Sequence, residues 1–207
     1  MSTTGTAPAT PKRSAGRPRS ETTQQAIIDT TITLLDTIEY RDISIDRIAA
    51  TARVGKQSIY RWWPSKAEVV LDAYTAKLAR LPPLLPSGDA FADLEDDLKR
   101  FFAIMRNDLI AKGMRSMIAE AQLDAGFKER FYARVARVRC EALRRIFRHG
   151  WAIGQFRDDI DAETLAHVIH GAFWYRLLSG TTYSYDDAYA HNVVELLRPG
   201  LAKRASA

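Results

Sequence analysis

The chain has 207 residues, 46% of them apolar, and a formal charge of +5 from 30 Lys and Arg against 25 Asp and Glu, which is enough apolar material for a core and a mild bias towards an anionic partner. A single cysteine, Cys140, excludes an internal disulfide framework and a thiolate-rich metal site and fits a reducing cytoplasm. No stretch reaches the eighteen or more apolar residues of a membrane span, so no membrane partner is expected, and no motif in the chain calls for a cofactor.

The charge is uneven: residues 1–66 carry ten basic against six acidic side chains, and the remainder twenty against nineteen. Residues 1–20 form an acid-free arm with Lys12, Arg13, Arg17 and Arg19, read as disordered because nothing in it is periodic. Its prolines rule out an amphipathic transit helix. The GRPR segment at 16–19 places Arg17 and Arg19 where an extended arm can enter a narrow minor groove beside a DNA-binding unit.

Residues 21–39 repeat apolar side chains at Ile28, Ile32 and Leu35, widened by Ile27, Leu34 and Ile38, which is one face of a helix. Ser44 caps a second, short helix whose Ile45, Ile48, Ala49 and Ala52 share a side and which ends near Arg53. A third follows over 56–63, with Ile59 and Trp63 four apart on its inner side. Pro64 stops it, and Ser65 with Glu68 forms a capping box opening a fourth, which turns Val69, Val70, Ala73 and Leu78 inwards. The proline-rich segment 81–89 cannot continue a helix. It divides an N-terminal module at 21–80 from a larger helical unit at 81–207. Further helices are expected at about 90–110, 113–122, 125–152, 162–179 and 186–203. No stretch reads as a strand, so the fold class is all-α, about nine helices: a three-helix helix-turn-helix module plus a C-terminal helical bundle domain.

The outer side of the third helix presents Lys56, Gln57, Tyr60 and Arg61. Lys and Arg can donate to guanine O6 and N7, Gln pairs with adenine N6 and N7, and Ser58 or a tyrosine hydroxyl reaches phosphate. Large aromatics on so short a helix, whose inner side is already filled, argue against a merely solvated face.

Residues 45–70 resemble the DNA-binding signature of the TetR (tetracycline-repressor) family of bacterial transcriptional regulators. The matching residues are Ser44, Ile48 and Ala49, Ala52, Val54, Gly55 and Lys56, Ile59 and Tyr60, Trp63, and Ser65 with Lys66. The resemblance implies that Lys56, Gln57 and Ser58 approach base edges, that Ser44, Tyr60, Trp62 and Lys66 hold phosphates, and that Arg61 does either. It also implies a homodimeric, ligand-responsive repressor on a palindromic double-stranded DNA operator. Two departures stand out: Arg53 where the family often has glycine in the turn, and Gln57 for a common Gly or Ala. A left-handed Arg53 would be strained by about 1–2 kcal/mol.

Residues 162–180 are apolar on nearly all sides between Val168 and Leu178, more than one chain easily covers. Gly171 and Ala172 permit close approach, and Ala190, Val193, Val194, Leu197 and Leu201 supply a matching stripe. With Val168 and Tyr175 these predict a two-fold four-helix interface, the alternative being a central helix buried in a monomer. Phe101, Phe102, Met105, Met114, Met117, Phe131, Phe147, Trp151, Trp174 and Tyr175 are the interior candidates for a cavity, most of them ordinary core material. Met105, Met117, Phe147, Trp151, His170 and Trp174 are the expected lining of any cavity, which would suit a small hydrophobic or aromatic effector. His167 and His170 have a metal-compatible spacing but no third ligand, and read as a core or interface pair. The arginines between 130 and 148 read as a solvated face. Competing functions are a small-molecule-transforming helical enzyme, for which no GxSxG, HExxH or glycine-rich phosphate loop is present, and a constitutive DNA-binding dimer without an effector.

Overall fold

The computed structural model describes residues 17–82 and 84–203. Its elements are α1 (Arg17–Thr37), a 3-10 turn (Tyr40–Asp42), α2 (Ile45–Ala52), α3 (Lys56–Tyr60), α4 (Lys66–Ala79), α5 (Ala90–Met105), α6 (Asp108–Leu123), α7 (Ala125–Phe131), a π turn (Tyr132–Ala136), α8 (Arg137–Ala152), α9 (Ala162–Ser179), a second 3-10 turn (Thr182–Ser184) and α10 (Asp187–Leu201). The described residues form no strand. The α7 to α8 run is unbroken, so that, counted as one rod, it brings the helices among the described residues to nine. The all-α expectation holds.

Helix starts follow local capping chemistry. The side chains of Ser44, Ser65, Asp89, Asn107, Asp124, Asp161 and Asp186 each accept a backbone N–H from the first turn that follows, satisfying donors that have no partner within the helix. Asn107 also corrects the expected helix over 90–110. Its Oδ1 takes the N–H groups of Leu109 and Ile110 at 3.0 and 3.2 Å, so the chain breaks there and α6 begins at Asp108. Two further boundaries move. α1 starts at Arg17, inside the expected arm, whose first sixteen residues lie outside the described ones. α3 stops at Tyr60, and the N–H groups of Trp62 and Trp63 both turn back onto the Ile59 carbonyl at 3.0 Å. The Ser65 hydroxyl caps α4 at the Glu68 N–H, 3.4 Å away, but the reciprocal half of the capping box is missing because the Glu68 carboxylate pairs with Arg130.

α1 packs on α2, α3 and α4, and α6 lies against α1, α4 and the first 3-10 turn, so one apolar core runs from the N-terminal helices into the bundle of α5 to α10. Polar ties cross the same boundary: Tyr40 to Glu120, Glu39 to Lys112 at 3.0 Å, Glu68 to Arg130 and Asp72 to Arg134. The arginine run is therefore not simply solvated. Arg130 and Arg134 reach carboxylates on α4, and Arg139 lies against Asp97 of α5 with both side chains under 15% exposed.

The π turn also shifts the buried face of that helix. Phe127, Phe131 and Val135 face the core at four-residue steps, but after the turn the buried positions are Cys140, Leu143 and Phe147, and Val138 is 58% exposed. An extra residue in the winding shifts the buried stripe by one position. At the other end of α8, Gly150 is needed for space, because a Cβ there would lie 2.2 Å from the Phe156 ring.

Candidate nucleic-acid interface and effector cavity

The reading unit is set by the turn between α2 and α3. Arg53 adopts φ 55°, ψ 43°, with its N–H on the Ala50 carbonyl at 3.3 Å and the Val54 N–H on the Ala49 carbonyl at 3.0 Å. This is the left-handed helix ending that usually uses glycine. It reverses the chain within three residues and directs α3 across α2. Ile45, Ile48 and Ala49 of α2, with Ile59 and Trp63, are buried beneath it. The Trp63 indole N–H donates to Asp72 of α4 at 2.7 Å, tying the end of the reading unit to the helix that follows.

On the outer side Lys56, Gln57, Tyr60 and Arg61 are exposed, Tyr60 by 50%, while Ser58 and Trp62 are half-buried. The structure thus brings together the four outward positions expected of α3. It adds a partner that the spacing did not announce: the Lys56 ammonium lies 2.6 Å from Asp46 of α2, whose hydrogen bond and charge raise the lysine above its usual value. Arg61 lies 5.6 Å over the Trp62 ring, itself edge-on to Trp63. The Ser44 hydroxyl accepts the Arg47 N–H at 3.1 Å as the α2 cap. Lys66 donates to the Tyr40 carbonyl at 3.2 Å and sits 3.9 Å over that ring, so it is fixed before any phosphate arrives. Arg17 and Arg19 stand in the first turn of α1, in a helix and not in an extended arm.

α9 and α10 divide their expected interface residues between inside and outside. Val168 and Tyr175 are 54% and 74% exposed, and Gly171 is exposed beside them, with Ala172, Val193 and Leu197 half-buried. Val194 and Leu201 turn into the core of their own chain, as do Ala190, Ile169 and Phe173. Leu196, 83% exposed and outside the expected interface, also belongs to the outward face. It lies on the far side of α10 from Val194 and Leu201, a rotation that the stripe of apolar letters alone did not fix. A shallow apolar depression between Val168, Ala172, Val193, Leu196 and Leu197 crosses both helices.

A cavity of about 270 Å³ lies between α4, α5, α6, the π turn, α8 and α9. Of the expected lining, His170 and Trp174 border it. Met105, Met117 and Phe147 are packed in the core at 0–1% exposure, and Trp151 is half-buried beyond it. The walls are instead Leu78, Leu81, Leu84, Phe101, Ile104, Met114, Val135 and Phe173, with Asp97 and three arginines among them. His170 Nδ1 is 3.2 Å from the Cys140 thiol. Burial, helped by the charge of Arg139, lowers His170 to about 4, and burial raises the thiol, so both are neutral at pH 7. His167 is exposed near Glu163, and no cluster suited to a metal ion forms among the described residues.

Residues 27–73 match the family model of bacterial regulatory proteins of the tetR family, and residues 85–197 match the tetracyclin repressor-like C-terminal domain. An uncharacterized HTH-type transcriptional regulator of Bacillus subtilis, YdeS, is 29% identical over 182 residues, covering 86% of this chain and 89% of its own. The crystal structure of the TetR family transcription regulator SCO0332 superposes with a TM-score of 0.74 at 27% identity, covering 86% of this chain and 97% of that one. A TetR transcription regulator from Haloarcula marismortui shares the fold at a TM-score of 0.66 and 18% identity, covering 88% of this chain and all of that one.

Proposed function

The chain belongs to the TetR family of transcriptional regulators, DNA-binding proteins of helix-turn-helix type and not enzymes, and from that premise we propose that it is a homodimeric repressor released from its operator by a small molecule. The observation that carries this reading is the outer face of α3, where Lys56, Gln57, Tyr60 and Arg61 stand exposed over a unit locked by Ile59 and Trp63. Lys56, Gln57 and Ser58 would meet base edges in the major groove. Ser44, Tyr60, Trp62 and Lys66 would meet phosphates. The outward apolar face of α9 and α10 supports pairing with a second copy. Two reading helices would then engage a palindromic operator with half-sites about 34–36 Å apart, or a multiple of that.

The cavity supports an effector over a constitutive dimer. Its walls include Leu78 of α4 and Leu81 and Leu84 of the segment that follows, so an occupant touches the helix that leads out of the reading unit. A ligand that prefers one placement of α4 shifts the spacing of the two units, and with it the affinity for DNA. No helix among the described residues is long and apolar enough to cross a membrane, and a single buried thiol suits the cytoplasm, where the operator lies. Mobility shift with a random duplex library at low salt tests the DNA reading: the protein binds, and Gln57→Ala with Tyr60→Ala weakens binding at least tenfold. Equal binding by the double variant would place the contact elsewhere.

A further inference from the structure

The cavity is apolar in body and cationic in balance. Arg100, Arg134 and Arg139 stand in its walls against the single carboxylate of Asp97, and His170 is held neutral by burial. The three cations are not equivalent. Arg139 is neutralised by Asp97 through two hydrogen bonds, although its Nε is buried without a partner among the described residues. Arg100 donates to the Pro82 carbonyl at 3.1 Å and forms no ion pair among the described residues. Arg134 pairs with Asp72, which lies outside the lining, on α4. Both members of that pair are partly solvated, at 45% and 25% exposure, and such a pair is easily exchanged for another anion.

We propose that the effector is an apolar organic acid, ionised at neutral pH, whose carboxylate is received by Arg100 and Arg134 while its body lies against Phe101, Ile104, Met114 and Trp174. This rests on the effector reading above and specifies the ligand class. It also assigns the coupling. The second carboxylate oxygen of Asp72 holds the Trp63 indole N–H at 2.7 Å, so Asp72 stands between a cation of the cavity and the aromatic that ends the reading unit. An acid that takes Arg134 from Asp72 releases a tie between α4 and the π turn and leaves the reading unit freer to move relative to the bundle.

Octanoate and 1-octanol share a body and differ in the head group, so calorimetric titration of the full chain with each separates the two readings. Octanoate binds at least tenfold more tightly than octanol, and Arg100→Gln or Arg134→Gln brings the ratio near one. Asp72→Asn keeps an acceptor for Trp63 but no longer competes for Arg134, and it raises octanoate affinity severalfold relative to octanol. A merely structural Asp72 would weaken both probes together. Equal binding of the two probes by the wild type overturns the acid proposal while the cavity reading stands. Binding of neither probe, or binding that Ala142→Phe in the cavity wall does not reduce, overturns the cavity reading and the proposal with it.

Discussion

Replacing Arg53 by glycine should stabilise the protein. The residue sits at φ 55°, ψ 43°, where an L side chain costs about 1–2 kcal/mol. Glycine removes that cost but returns about 0.5–1 kcal/mol through its freer unfolded chain. Arg53 is exposed and makes no side-chain hydrogen bond or ion pair among the described residues, so no contact is lost in exchange. The net gain lies between about 0 and 1.5 kcal/mol and is centred at ~0.75 kcal/mol, a rise in Tm of about 1.5–3 °C for a chain of this size. Arg53→Ala keeps the Cβ and the strain and should change little. Thermal unfolding followed by circular dichroism, with calorimetry for the enthalpy, measures all three proteins. A glycine variant no more stable than the alanine variant would refute the claim that the turn is strained.

Three other outcomes follow from particular side chains. His170 is neutral in the fold down to about pH 4, whereas the unfolded chain takes up that proton near 6.5. Stability from this group is therefore complete above pH 6.5 and is lost as pH falls towards 4. The stability advantage of the wild type over His170→Asn should shrink by about 2 kcal/mol between pH 7 and 5 in urea titrations, and a constant difference would contradict the burial argument. Val168→Glu, on the outward face of α9, should leave each chain folded but shift sedimentation towards the monomer, and an unchanged dimer would place the interface elsewhere. Asp46→Ala frees Lys56 from its carboxylate and should raise duplex affinity severalfold at low salt, most visibly in mobility shifts, with the gain fading as salt rises.

What the sequence made legible follows from how local each signal was. Ser44, Ser65 and the Ile48 to Ile59 spacing are short-range, and the helices of the reading unit, its buried side and its exposed face could be placed from letters alone. The break at Asn107 is hard to see because Met105 and Leu109 stand four apart on either side of it and keep the helical period, although an Asn before an acidic first turn is itself a cap signal. The cavity was harder. Which side chains of the α7 to α8 rod border a void depends on the π turn, which shifts the buried stripe between Val135 and Cys140, and no periodicity announces a change of winding. The pairs Asp72 with Arg134 and Asp46 with Lys56 depend on helices meeting in space, and single-chain patterning cannot give their partners.

Two copies of α3 are expected to read DNA as a symmetric pair. Selection of bound duplexes from a random pool by the full chain, with each recovered sequence aligned on its own reverse complement, tests it most directly. The expected motif is an inverted repeat with half-site centres one helical turn or a multiple apart, lost with Gln57→Ala in the base positions and with Val168→Glu in the symmetry. A recovered motif with a single unrepeated half-site, or a pool with no enrichment, would contradict it.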